Sequence, residues 1–141
     1  VGFEFKTPYE KDEFSYFGMG DMENYQDMCH HTRVGYFRSD ARREYVNYVV
    51  PQEHGNHIKA KELKMASGLE FSGDNFEFNV SHFTADNIEQ ARHQDEILNE
   101  NLTNIRIDYK NSGVGSHSCG PELLEKYRLA EKDIEFTFYI K

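Results

Sequence analysis

Four segments of this chain alternate apolar and polar side chains with a period of two. They are Val1, Phe3, Phe5; Phe76, Phe78, Val80; Ile105, Ile107, Tyr109; and Ile134, Phe136, Phe138, Ile140. Successive side chains of an extended strand point to opposite faces, so each segment carries one apolar face and one mostly polar face. That is the pattern of half-buried antiparallel strands. "FSYFGMG" and "EYVNYVVP" add two strand candidates rich in aromatic and β-branched residues, the second ended by Pro51.

Turns are supplied by Gly18, Gly20, Gly55, the "SGDN" at Ser72 to Asn75 and the long "NSGVGSHSCGPE", Asn111 to Glu122. Helical signals are weaker. "TADNIEQARHQ" offers Thr84 as a cap, with Ile88 and Ala91 at helical spacing, and "GPELLEKY" places Pro121 at a first helical position. With many strands and few helices, the expected fold is all-β: an antiparallel β-sandwich with one or two short helices. A chain of 141 residues is the size of one domain, so residues 1–141 read as a single unit. "VGFEF" already alternates at Val1, and the chain is expected to begin inside a strand, as a piece of a larger domain would.

The formal net charge is −9, from 25 Asp and Glu against 16 Lys and Arg. Such a field repels phosphate backbones and anionic lipid surfaces, which argues against nucleic-acid and membrane partners. No apolar run approaches the roughly 20 residues that cross a bilayer. Two Cys, Cys29 and Cys119, lie far apart in a chain that needs no bridge to hold its core. Free thiols in a reducing, cytoplasmic compartment are expected.

"CHH", Cys29 to His31, contains zinc-ligand chemistry, but adjacent ligands rarely all reach one tetrahedral ion and no partner pattern accompanies them. A loop role is the reading. His54, His57, His82 and His93 fall in no ligand spacing and read as hydrogen-bonded loop residues. His117 lies two residues from Cys119, so base and thiol could meet in an extended segment. A thiol hydrolase also needs an orienting third group and an oxyanion hole, and no local signature of one surrounds this Cys. Paired carboxylates could perform glycosidic chemistry, yet no pair has a separation that can be inferred.

Five stretches in order carry a resemblance: "YFGMGDMENYQDM", "YVVPQEHGNH", "GLEFSGDNFEFNVSHFTADNIEQARHQDEI", "IRIDYKNSGVGSHSCGPELLEKYRL" and "FTFYIK". Together they resemble the C-terminal part of bacterial family 2 β-galactosidases, called the small chain when separately encoded. The resemblance covers essentially the whole chain. One departure is Met28, where the family usually has Arg.

The resemblance implies a partial supersandwich of the galactose mutarotase kind, acting as a non-catalytic piece of an enzyme that hydrolyses terminal β-D-galactosides such as lactose. The family's two catalytic Glu sit on a (β/α)8 barrel, absent from these residues, so no catalytic residue is expected here. Partners implied are the barrel domain or large subunit, the β-galactoside and further copies in a homo-oligomer. Mg2+ and Na+ or K+ would be bound elsewhere in the parent, with no cofactor in this fragment.

The terminal domain of such enzymes lays one loop over the mouth of the barrel. Its match here is "GVGSHSCGP", which makes Gly115, Ser116, His117, Ser118 and Cys119 the expected substrate-proximal residues. Well-known members hold a Trp at the Cys119 position, stacked on the sugar, and others hold Cys. Ser116, His117 and Ser118 could face sugar hydroxyls or satisfy the loop's own backbone. Glu53 and Asn56 of "PQEHGNH" could help form the rim of the site or bond their own turn. A free-standing carbohydrate-binding module is the alternative function, weakened by the absence of Trp.

Overall fold

The computed structural model describes residues 1–114 and 122–141. Its strands are β1 (Gly2–Pro8), β2 (Glu13–Gly20), β3 (Arg33–Asp40), β4 (His57–Met65), β5 (Glu70–Ser81), β6 (Leu102–Asp108) and β7 (Tyr139–Ile140). All belong to one antiparallel sheet with the order β1-β6-β5-β4-β2-β3, and β7 also pairs with β5. The all-β expectation therefore holds. At 12 residues β5 is long enough to serve two partners along one edge while β4 pairs along the other: Phe71 and Ser72 pair with β7, and Glu77 to Ser81 pair with β6.

Register turns the alternation into two faces. Phe3, Ile107 and Phe78 form one row across β1, β6 and β5, and Phe5, Ile105 and Val80 form another. Apart from Phe3, which is 58% exposed, these residues join Phe14, Tyr16, Leu63 and Phe71 in one apolar layer. Phe5 packs on Phe71 at 5.1 Å between ring centroids, and Phe14 meets Phe78 edge-on at 5.8 Å. Each fully buried side chain of this size contributes roughly 1.5–3 kcal/mol, so this layer is the main stabilising feature.

Between the apolar rows lie Gly2, Asp108, Glu77; Glu4, Arg106, Asn79; and Lys6, Asn104, Ser81. Simple alternation predicts that these polar rows face water. Instead Glu77, Asn79, Ser81, Asn104 and Asp108 are all buried. Loops cover this second face, and side chains and backbone from those loops satisfy many of its polar groups.

Other expectations are corrected. "EYVNYVVP" is not a strand but part of a loop between β3 and β4. Asp40 Oδ1 accepts the amides of Arg42 and Arg43 and turns the chain out of β3. Tyr45 then donates to Gln94, and Tyr48 to Glu23 Oε1, so side chains rather than a neighbouring strand fix this stretch. "SGDN" is not a turn but lies within β5, where the β4 pairing slips between Ala60↔Phe76 and Glu62↔Ser72. Small polar residues tolerate that bulge as readily as a turn.

"TADNIEQ" does form a helix, α1 (Ala85–Gln90), with Thr84 Oγ1 accepting the Asn87 amide at 3.2 Å and Ile88 buried. "ELLEKY" yields only a 3₁₀ turn at Glu125–Tyr127, and Pro121 lies outside the described residues. Only Tyr139 and Ile140 of the last alternating segment pair as a strand, although Phe136 and Phe138 still pack on the core. Among the described residues no helix is long and apolar enough to cross a membrane.

Candidate functional site: the buried polar face and the loop root

The second face of the sheet gathers acids, amides and one guanidinium under three loop segments. At its centre is Glu77 of β5, 2% exposed. Its Oε1 accepts from Gln26 Nε2 at 2.8 Å, while Oε2 accepts from Asn56 Nδ2 and from the backbone amide of Asn111, each at 3.0 Å. Burial pushes the Glu77 carboxyl above its ordinary value, and Asp108 adds to that, while the three N–H bonds oppose it. Burial likewise raises Asp108, against the pull of Arg106.

Arg106 of β6 projects from the same face and holds Glu53 through both terminal nitrogens, Nη1 to Oε2 at 2.8 Å and Nη2 to Oε1. A planar fork matched to a carboxylate in this way is stronger and more directional than a single ion pair. Burial lowers the Arg106 pKa, and Glu53 outweighs that, so the guanidinium is held charged.

Asn24 ties the covering loops to the sheet. It donates through Nδ2 to the carbonyls of Met19 and Met22 and accepts the Ile58 amide at 2.8 Å, while its own amide donates to Asn56 O at 2.7 Å. Glu23 Oε2 accepts the amide of Gly55 at 2.8 Å. Tyr25 is 1% exposed, and burial holds its pKa well above the usual phenol value. A gap of about 10 Å³ among Glu53, His54, Asn79, Ser81 and Arg106 matches a single water. It is too small for a sugar ring. This face is built to hold loops in place rather than to enclose a substrate.

The predicted substrate-proximal residues Gly115, Ser116, His117, Ser118 and Cys119 lie outside the described residues. The root of their loop does not. Asn111 is bonded to Glu77, and a Cβ built on Gly113 would sit 2.2 Å from the Asp27 carboxyl carbon. Of the two rim candidates, Asn56 is fully buried between Glu77 and Asn24, whereas Glu53 keeps 34% of its side chain exposed beside Arg106. Sequence reasoning does not single out Glu77, Arg106 or Asn24. The signal for the first two is a charged residue at the intervening positions of strongly alternating strands.

Cys29 and His31 take loop roles: Cys29 Sγ lies 3.9 Å from Gln26 O, and His31 Nε2 3.1 Å from Glu23 O. Among the described residues no group of three or more His, Cys, Asp or Glu is placed to hold a metal ion. The histidines divide. His54 and His93 are loop residues, whereas His57 lies in β4 and meets Glu44 at 2.8 Å. His82, just after β5, meets Asp12 at 3.0 Å and stacks on Tyr9.

Comparison with known proteins gives this geometry its context. The chain is 34% identical to a β-galactosidase of Actinobacillus pleuropneumoniae over 97% of its length, and 32% identical to one of Staphylococcus xylosus over 99%. It is also 32% identical to the β-galactosidase of Kluyveromyces lactis over 98%. In each case it spans only 14% of the relative. A family model described as the β-galactosidase small chain matches residues 1–140. The chain therefore belongs to the β-galactosidase small-chain family.

Proposed function

We propose that this chain is a non-catalytic C-terminal part of a β-galactosidase that hydrolyses terminal β-D-galactosides such as lactose. The observation that carries the reading is the match of nearly the whole chain to 14% of each relative. A piece of that size works by what it presents to the remainder. The loop holding Gly115, Ser116, His117, Ser118 and Cys119 would lie over the active site of the barrel domain or large subunit, in a cytoplasmic homo-oligomer. The parent's Mg2+ and Na+ or K+ would be held by residues outside this chain.

Cys119 gives the reading a physical handle. A thiol at the position where the family resemblance implies a Trp stacked on the sugar would remove an aromatic platform worth about 1 kcal/mol. In the full-length enzyme, Cys119→Trp is expected to change lactose affinity by about fivefold, the factor equivalent to that energy. Unchanged KM and kcat would refute a place for this loop at the sugar. The chain by itself, incubated with a chromogenic β-galactoside, is expected to show no turnover above background.

A further inference from the structure

We infer that Glu77 is a positioning residue for the galactoside, because its buried carboxylate fixes the root of the loop that starts at Asn111. The inference rests on the proposal that this loop reaches the sugar.

The geometry is a convergence. Three N–H donors from three separate segments, Gln26, Asn56 and Asn111, meet on one carboxylate at 2.8–3.0 Å. An ionised carboxylate only accepts, with room for about four bonds. A glutamine there would turn an NH2 toward at least one of those donors. A position that merely filled space between strand and loops would carry an apolar residue, since burying an acid is costly unless its bonds are made. Here 2% exposure and three bonds occur together.

A second acid confines the same root. Gly113 leaves no room for a Cβ against Asp27, where it would lie 2.2 Å from the carboxyl carbon and from Oδ1. Asn111 and Gly113 are thus set by Glu77 from the sheet and by Asp27 from the turn that also supplies Gln26. Misplacing a substrate-positioning segment by about 1 Å can cost up to a hundredfold in rate, so a loop over an active site needs a stiff root. Burial raises the Glu77 pKa, consistent with a carboxyl held away from water.

The test uses the full-length enzyme. Glu77→Gln is expected to raise KM for lactose about three- to tenfold with kcat within twofold of wild type. Gly113→Ala, which leaves the sheet untouched, is expected to do the same and decides the matter if Glu77→Gln fails to fold. A third variant replaces Ser116 to Cys119 by glycines. If that variant raises KM while Glu77→Gln and Gly113→Ala keep the wild-type value, the loop reading stands and the role of Glu77 is overturned. If all three keep the wild-type KM, the loop reading itself falls and takes the inference with it. A lowered unfolding temperature with unchanged kinetics marks Glu77 as purely structural and also overturns it.

Discussion

His57 and Glu44 meet at the apolar layer of the sheet, with Nε2 2.8 Å from Oε2 and side-chain exposures of 0% and 6%. The imidazole stacks on Phe78 at 5.0 Å and 24°. A polar ring can be buried among aromatic residues because its nitrogens have partners. Glu44→Ala removes one of them and is expected to destabilise the fold by about 1–3 kcal/mol, whereas Glu44→Gln keeps an acceptor and costs less. Equal losses in denaturant titrations of the two variants would show that the bond itself is unimportant.

Arg106→Lys is expected to behave as a damaging change despite keeping the charge. An ammonium cannot reproduce the two-pronged contact with Glu53. The expected loss is about 1–3 kcal/mol, read as reduced hydrogen-exchange protection of the Arg106 and Asn79 amides in the full-length protein. Wild-type protection would refute the bidentate bond as a stabilising element.

Glu77 makes a pH prediction whose sign follows from its environment. Burial raises its carboxyl above the ordinary 4.5, so the folded state holds the proton more tightly than the unfolded one. The resulting contribution to stability is complete below 4.5 and is lost as pH rises through the folded value. Glu77→Gln lacks this titration. Stability of wild type relative to the variant is therefore expected to fall as pH rises above 4.5. Each tenfold difference in proton affinity between folded and unfolded states corresponds to about 1.4 kcal/mol of that fall. Denaturant titrations across this window check it, and a rise would contradict the burial effect.

Gly55 and Gly68 both have positive φ, at +72° and +93°, yet only Gly55 is crowded. A Cβ there would lie 3.0 Å from Glu44 O and 3.1 Å from Asn79 Nδ2, while nothing lies within 4 Å of one on Gly68. Gly68→Ala is expected to cost about 1–2 kcal/mol from backbone conformation alone. Gly55→Ala is expected to cost more, by crowding and by disturbing the amide bond to Glu23. Thermal unfolding of the two variants gives the order directly, and a reversed order would exclude crowding as the cause.

Phe138 lies just before β7 and touches Phe3, Phe5, Phe71 and Phe136 with centroids 5.3–6.4 Å apart. Phe138→Ala is expected to cost about 1–3 kcal/mol, below the range for a fully buried Phe because the ring is only half-buried. Accelerated proteolysis at the C-terminal segment reports the loss. Unaltered cleavage would mean that the Tyr139 and Ile140 ladder alone secures this end.

The strands that read clearly in the sequence are those whose apolar face is built from large side chains at every second position. Phe76, Phe78 and Val80, or Ile105 and Ile107, could bury nothing well in another conformation. β3 and β4 are less visible: Lys59, Lys61 and Lys64 dilute β4, and Val34 and Tyr36 of β3 are exposed. "EYVNYVVP" misleads because its tyrosines serve as hydrogen-bond donors in a loop, with Val49 95% exposed, and strand propensity does not distinguish the two uses. The polar face is hidden for a related reason. Glu77, Asn79 and Arg106 look like solvent-facing positions until distant residues such as Gln26, Glu53 and Asn56 are brought over them.

Strand β5, whose one edge is shared by β6 and β7, also sets a time order on folding. Its Phe71 and Ser72 are joined to Ile140 and Tyr139, and the outer strand β1 has its partner about a hundred residues downstream, with Gly2 opposite Asp108. Contacts so distant in sequence form slowly and carry a large loop-closure cost. On the ribosome, β1 lacks its β6 partner for as long as β6 is still being synthesised, and the lower half of β5 lacks its β7 partner until Tyr139 emerges. Sheet closure is consequently a late event, and the waiting strands are the part of the nascent chain most in need of protection from aggregation.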